Sequence, residues 1–247
     1  MRYLILSDIH ANLDALDAVL AAVPAGSYDR VVVLGDLVGY GAEPNAVIDR
    51  VRQLDPILVL RGNHDKAACG LEDASNFNQI ARAAASWTFQ ALTDANRRYL
   101  WDLPQGPLPL DEHTEVCHGA PFDEDHYIFD PEDAIRAIET IEHALCLFGH
   151  THLPVVFRRD GDLFDGFIPD GDIDNRFTLS PGAKYLVNPG SVGQPRDGDP
   201  RAAFAIYDSD GPELTLRRLD YPIDAAQRRI LNAGLPASLA NRLAIGR

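Results

Sequence analysis

Five short polar clusters carry the chemistry of this chain: Asp8-Ile9-His10, Gly35-Asp36, Gly62-Asn63-His64-Asp65, His118-Gly119 and Gly149-His150-Thr151-His152. Each directly follows an apolar run. Carboxylate, imidazole and amide oxygen are hard or borderline donors, suited to divalent ions such as Mn, Fe or Zn. In extended backbone, residues two apart face the same side. Asp8 with His10, and His150 with His152, can therefore each aim into one cavity. The glycines permit close approach and sharp turns. Taken singly, each cluster has an ordinary explanation: Asp-x-His can be a turn or a helix cap, and His118 can be a hydrogen-bonded histidine of the interior. Five such clusters, each closing an apolar segment, leave that explanation little room and point to a metal site.

Elements must bring these clusters together. Residues 3–6, 31–34 and 57–60 are short apolar runs that read as buried strands. Between them, Leu13, Leu16, Val19, Leu20 and Val23 recur at helical spacing, and Pro24 and Gly26 end that helix. Residues 44–54 read as a second helix with Pro44 in its first turn. This alternation predicts an α/β fold with a parallel sheet under covering helices, and in such sheets sites form at the carboxyl ends of strands. Residues 76–100 read as two helices broken near Thr93-Asp94. Their aromatics, Trp87, Phe89 and Tyr99, and Trp101 just beyond, are expected mainly to pack the core, and a helical cap over residues 66–110 is the alternative. Residues 115–117 and 144–148 read as strands flanking a helix at 132–141. Shorter strands at 155–158, 184–187, 202–207 and 214–219 suggest an antiparallel second sheet packed on the first. Residues 160–174 are rich in Asp and Gly but lack the Glu that closes a calcium loop, so an exposed turn is expected. A helical hairpin over residues 222–247, turning at Gly234-Leu235-Pro236, closes what reads as one domain spanning residues 1–247.

As an ordered set, Asp8-Ile9-His10, Gly35-Asp36-Leu37-Val38-Gly39-Tyr40-Gly41, Gly62-Asn63-His64-Asp65, His118-Gly119 and Gly149-His150-Thr151-His152 resemble the signature of the calcineurin-like metallophosphoesterases. Asn188-Pro189-Gly190-Ser191-Val192 extends the resemblance to the small bacterial and archaeal phosphodiesterase branch. The resemblance implies a two-sheet αββα sandwich and two divalent metal ions per chain, Mn, Fe, Zn or Ni, with Mn favoured for activity. By the same resemblance, Asp8, His10, Asp36 and His152 would hold one metal. Asp36, Asn63, His118 and His150 would hold the other, with Asp36 bridging. His64 would bond the substrate phosphoryl oxygen or protonate the leaving group. Asp65 is expected to orient His64, against the rival reading of a turn or cap residue. Arg61 is within sequence reach of a phosphate, with a salt bridge at the sheet edge equally open. Arg196 is a weaker candidate for the same task. Residues 188–192 are expected to support the metal loops rather than react.

The activity implied is hydrolysis of phosphoesters, small phosphodiesters first. Phosphomonoesters and dinucleoside polyphosphates are the alternatives, and a non-catalytic protein-binding scaffold is the alternative of another class. All seven ligand positions and His64 are present, which argues against the scaffold. A net charge of −15 disfavours a broad grip on long nucleic acid while leaving a small phosphate ester or nucleotide open as substrate. The three cysteines, Cys69, Cys117 and Cys146, form no CxxC pair, so buried thiols in a reducing compartment are expected. No apolar stretch is long enough for a membrane span, and a cytoplasmic location is expected. A homo-oligomer is open. No Gly-Lys-Ser/Thr phosphate loop or Gly-x-Ser-x-Gly elbow competes for the assignment.

Overall fold

The computed structural model describes residues 1–171 and 174–247. Along the chain the elements run β1 (Arg2–Leu6), α1 (Leu13–Ala22), β2 (Arg30–Val33), α2 (Pro44–Gln53), β3 (Leu58–Val59), α3 (Asn63–Cys69), α4 (Gln79–Ala91), α5 (Asp94–Trp101), β4 (Leu108–Pro109), β5 (Thr114–Val116), α6 (Pro131–Thr140) and β6 (Leu145–Leu147). They continue through β7 (Val155–Asp160), β8 (Leu163–Phe167), β9 (Asn175–Thr178), β10 (Lys184–Asn188), β11 (Ala202–Asp208), β12 (Glu213–Leu219), α7 (Ile223–Asn232) and α8 (Ala237–Leu243).

The strands form two six-stranded mixed sheets, ordered β3-β2-β1-β11-β12-β9 and β4-β5-β6-β10-β7-β8. Strands buried on both faces need unbroken apolar runs, and the alternation of side chains then sorts them between two cores. In β1, Tyr3 and Ile5 enter the core between the sheets, while Leu4 and Leu6 enter the core under the helices. In β2, Val32 sides with the first set, and Val31 and Val33 with the second. A third core lies on the far face of the second sheet, where Ala134, Ala137 and Ile138 of α6 cover Cys146 and Leu186. The layers are therefore helix, sheet, sheet, helix, as the resemblance implied.

Helix ends follow local chemistry. Asn12 caps α1 by accepting from Ala15 N at 3.1 Å, and Asp130 caps α6 by accepting from Asp133 N at 2.9 Å. Pro44 and Pro131 sit in first turns, where no intrahelical N–H is needed.

Two expectations are corrected. The late strands do not make a sheet of their own: β11 adds antiparallel to β1, with Leu4 opposite Ile206, and β12 and β9 follow it. Local pattern reads each strand's type, but pairing is decided by which apolar faces meet. Residues 160–174 are not simply a turn. β7 and β8 form a hairpin closed by Gly161 and Asp162, with Asp160 opposite Leu163. The rest of that expectation falls partly on Asp172 and Ile173, which lie outside the described residues. Residues 63–69, which begin within the polar cluster at the end of β3, form α3. All three cysteines are buried and free. Among the described residues, no helix is long and apolar enough to cross a membrane.

Candidate metal centre

The strand ends are laced together before any side chain is considered. Asp8 N donates to Gly35 O at 3.1 Å and His10 N to Asp36 O at 3.0 Å, which ties the β1 loop to the β2 loop. Gly149 N donates to His118 O at 2.8 Å across the second sheet. Gly193 N donates to Asp8 O at 3.0 Å, and Ser191 Oγ donates to the same carbonyl at 2.8 Å. Asn188 Nδ2 holds Gly149 O at 2.7 Å. Residues 188–193 thus buttress the loops from both sheets.

The backbone at these ends is strained. Asp8, His10, Asp36, His150 and His152 all have φ between 49° and 67°, the left-handed region that β-carbon sterics disfavour. Such residues cost on the order of 1–3 kcal/mol each and persist where the surroundings over-determine them, which is typical of functional sites. Two glycines make the crowding possible. A β-carbon on Gly62 would lie 2.1 Å from Asp36 Oδ1, and one on Gly35 would lie 2.5 Å from His118 Nδ1.

The result is two donor sets that share one carboxylate. Donor atoms of Asp8, His10, Asp36 and His152 lie within 4.8 Å of one another, as do those of Asp36, His118 and His150. All six side chains are buried. The imidazoles are fixed in the orientation a cation needs. Nδ1 of His10, His118 and His152 faces the carbonyl oxygens of Val38, Leu34 and Gln194 at 2.9, 2.9 and 2.6 Å. Donation there leaves each Nε2 as a lone pair facing inward. His150 inverts the arrangement, with Nε2 on Asp125 O at 3.0 Å, which leaves Nδ1 as its free donor.

Direct observations test the fit to metal. The Nε2 atoms of His10 and His152 face each other at 3.0 Å, an arrangement with no good hydrogen bond when each ring has its proton on Nδ1. His118 Nε2 and Asn63 Oδ1 are buried and have no hydrogen-bond partner among the described residues. Burial holds His10, His150 and His152 well below the ordinary histidine value, and His118 below it. Burial also pushes the Asp8 carboxyl up, and it pushes Asp36 well up, with the carboxylates of Asp65 and Asp8 adding to the effect on Asp36. Neutral imidazoles with free lone pairs and crowded carboxylates form a site that divalent cations would stabilise.

The other expected residues divide. His64 sits beside the first donor set, its ring centroid 5.0 Å from His10, and it packs against Tyr40 and Phe77. Its Nδ1 has no hydrogen-bond partner among the described residues. The Asp65 carboxylate makes no hydrogen bond to His64 among the described residues. The Asp65 carboxylate accepts from Leu37 N, Val38 N and Gly62 N at 3.2, 3.1 and 3.0 Å. It is the cap that binds the Gly35–Gly41 turn to α3, and burial raises its pKa to about 7 against those hydrogen bonds. Three backbone donors converge on that carboxylate and outcompete one imidazole. Arg61 likewise takes the salt-bridge reading. It forms a two-pronged pair with Glu124 at 3.0 and 2.7 Å and bonds Gln105 at 2.8 Å, which uses the fork that a phosphate would need.

Sequence reasoning missed the segment after His118. Tyr127 stacks on His150 with ring centroids 3.7 Å apart. Lys66, only 1% exposed, pairs with Asp125 at 2.7 Å and Glu124 at 3.2 Å. The sole signal was an acidic run at residues 123–125, and charge runs usually face solvent. Tyr40, which packs on His10, lay inside a quoted motif without a role.

A two-sheet α/β sandwich whose strand ends converge on two carboxylate-linked metal-ligand clusters defines a metal-dependent hydrolase site. Residues 1–211 match the calcineurin-like phosphoesterase superfamily domain, and the chain belongs to that family. It is 34% identical over 250 residues to the Methanocaldococcus jannaschii protein MJ0912, covering 98% of this chain and 97% of that one. It is 25% identical over 222 residues to the Escherichia coli phosphodiesterase YfcE, covering 85% and 89%. Among solved structures, a metallophosphoesterase from Sphaerobacter thermophilus matches with a TM-score of 0.88 at 40% identity over 100% of both chains.

Proposed function

We propose that this protein hydrolyses small phosphodiesters with two divalent metal ions, Asp36 bridging them. The observation that carries the proposal is Asp36 itself, a buried carboxylate common to two donor sets whose histidines are already turned inward. Asp8, His10 and His152 would complete one site, and Asn63, His118 and His150 the other. Mn is the favoured metal for activity, since a mixed nitrogen and oxygen set suits it as well as Fe, Zn or Ni. When bound, such a pair polarises phosphoryl oxygens and supplies a nucleophile from water at neutral pH.

The chain's own residues do the rest. Backbone carbonyls of Val38, Leu34 and Gln194 hold three imidazoles in one tautomer, so no reorientation is needed during turnover. His64 sits beside the centre with Nδ1 unengaged, placed to bond a phosphoryl oxygen or the departing oxygen. Asp65 keeps the His64 turn in register through the backbone. No side chain acts as a covalent nucleophile. Preference for diesters is supported by the likeness to YfcE, whose name states that activity.

The test is kcat/KM of Mn-loaded protein on bis-p-nitrophenyl phosphate and on p-nitrophenyl phosphate, with Asp36→Asn as control. Faster diester cleavage that the control loses is the expected result. Faster monoester cleavage would make the protein a phosphatase, and no turnover with any of the four metals would leave the binding scaffold.

A further inference from the structure

The rim of the metal centre carries two arginines, Arg196 and Arg242, that form no ion pair with an Asp or Glu side chain among the described residues. Arg196 leaves the loop after β10 and Arg242 leaves α8, and each guanidinium carbon lies 5.7 Å from the centroid of the Tyr40 ring. Tyr40 in turn packs on His10 and His64. Arg196 Nη2 donates to the neutral Gln194 Oε1 at 3.2 Å, and its buried Nε has no hydrogen-bond partner among the described residues. Arg242 donates through Nε to the main-chain oxygen of Arg247, and its Nη groups make no hydrogen bond among the described residues. Other arginines nearby in the fold are paired: Arg61 with Glu124, Arg229 with Asp14 and Glu43, Arg218 with Asp197.

Arg196 is felt throughout the centre. It opposes the burial that raises Asp8 and Asp36, and it adds to the burial that lowers His10, His64 and His152. Burial and the charge of Arg196 together lower Arg242. Two guanidiniums around one tyrosine ring, beside a site for two divalent cations, repel one another unless an anion offsets their charge. A diester monoanion is already matched by the metal centre. The additional charge fits a second anionic group, and the planar fork of arginine suits phosphoryl oxygens.

We propose that Arg196 and Arg242 form an anion subsite beside the metal centre, so that the substrate is a phosphoester carrying a second phosphoryl group. This rests on the phosphoesterase reading and narrows it to nucleotide-like esters with more than one phosphate. Tyr40 lies beside both arginines and sets the subsite against His64.

Two esters that differ by one anion test it: thymidine 5′-(p-nitrophenyl phosphate) and the same compound with a 3′-phosphate. Mn-loaded wild type is expected to prefer the 3′-phosphorylated ester by about tenfold or more in kcat/KM, mostly through KM, the effect of one charge-assisted contact. In Arg196→Gln and Arg242→Gln, with folding checked by circular dichroism, the ratio should fall toward one, and Arg242→Lys should restore part of it. A second readout avoids turnover: calorimetric titration of metal-free protein with thymidine 3′,5′-bisphosphate, expected to weaken about tenfold or more in either Gln variant. Equal kcat/KM for the two esters, or a preference that survives both substitutions, overturns the subsite. If neither ester is cleaved, the phosphoesterase reading fails instead. The titration then decides the subsite alone, and equal binding by wild type and variants overturns it.

Discussion

The two halves of the metal centre are held in different ways. The half made by Asp8, His10 and His152 is fixed by main chain: both histidines bond backbone carbonyls, Asp8 receives His150 N on both oxygens, and Ser7 Oγ bonds Asp8 Oδ2 at 2.6 Å. In the half made by His118 and His150, His118 is likewise held by a buried carbonyl, that of Leu34, but His150 depends on a loop at the surface. His150 leans on Asp125 O and on Tyr127, which is 37% exposed and stacks in turn on Phe129. That loop is clasped by Lys66 and Arg61 through Asp125 and Glu124. Backbone hydrogen bonds buried in a core open only with the fold, whereas ion pairs that tie down a partly exposed loop open locally. The second half should therefore bind its metal more weakly and exchange it faster, with Asp36 shared by both donor sets.

The largest expected effect removes the shared element. Asp36→Asn should lower kcat/KM by on the order of 10³-fold or more, because bridging charge accounts for several kcal/mol of transition-state stabilisation. Metal analysis should show both ions depleted; retention of one full equivalent would mean that the halves are independent. Next, His152→Ala and His150→Ala separate the halves. Each should lose one metal, and a wild-type-like metal content in either would remove that histidine from the ligand set. Chelation of the bound metals should lower Tm by roughly 5–10 °C in a calorimetric scan, given about 2.7 kcal/mol at a hundredfold excess over Kd and about 2–4 °C per kcal/mol at this chain length. The clasp is probed by Lys66→Met. It should weaken the second metal by about tenfold and leave the first at full occupancy, whereas equal loss at both sites would show that the two halves are held alike. The smallest effect is expected from Asp65→Asn, which keeps the shape of the cap and weakens three backbone contacts, about 1–3 kcal/mol in a denaturant melt. Because the carboxylate does not touch His64, kcat should fall no further than the lost stability explains.

Much of this was legible in the residues. The apolar runs of β1, β2 and β6, the spacing in α1 and the break between α4 and α5 are local signals, set by side-chain period and by Thr93 capping α5. Asp8, His10, Asp36, His118, His150 and His152 were visible because each closes an apolar run and because their order resembles one family. Other features were invisible for a physical reason. The placement of β11 beside β1 joins residues about two hundred positions apart, and no local propensity records it. Asp65 and Arg61 had two plausible partners each, and the choice fell to whichever donors converged in space. Lys66 reads as a surface lysine until Glu124 and Asp125 fold over it.

The sequence by itself determined which atoms are available as ligands, since donor type is a property of the residue and its position at a strand end follows from the hydrophobic pattern. Tertiary structure alone decided how those atoms are aimed. The imidazole tautomers depend on carbonyls at Val38, Leu34 and Gln194, and the charge at the rim depends on α8 returning Arg242 to Tyr40. Both are set by packing between segments far apart in the chain.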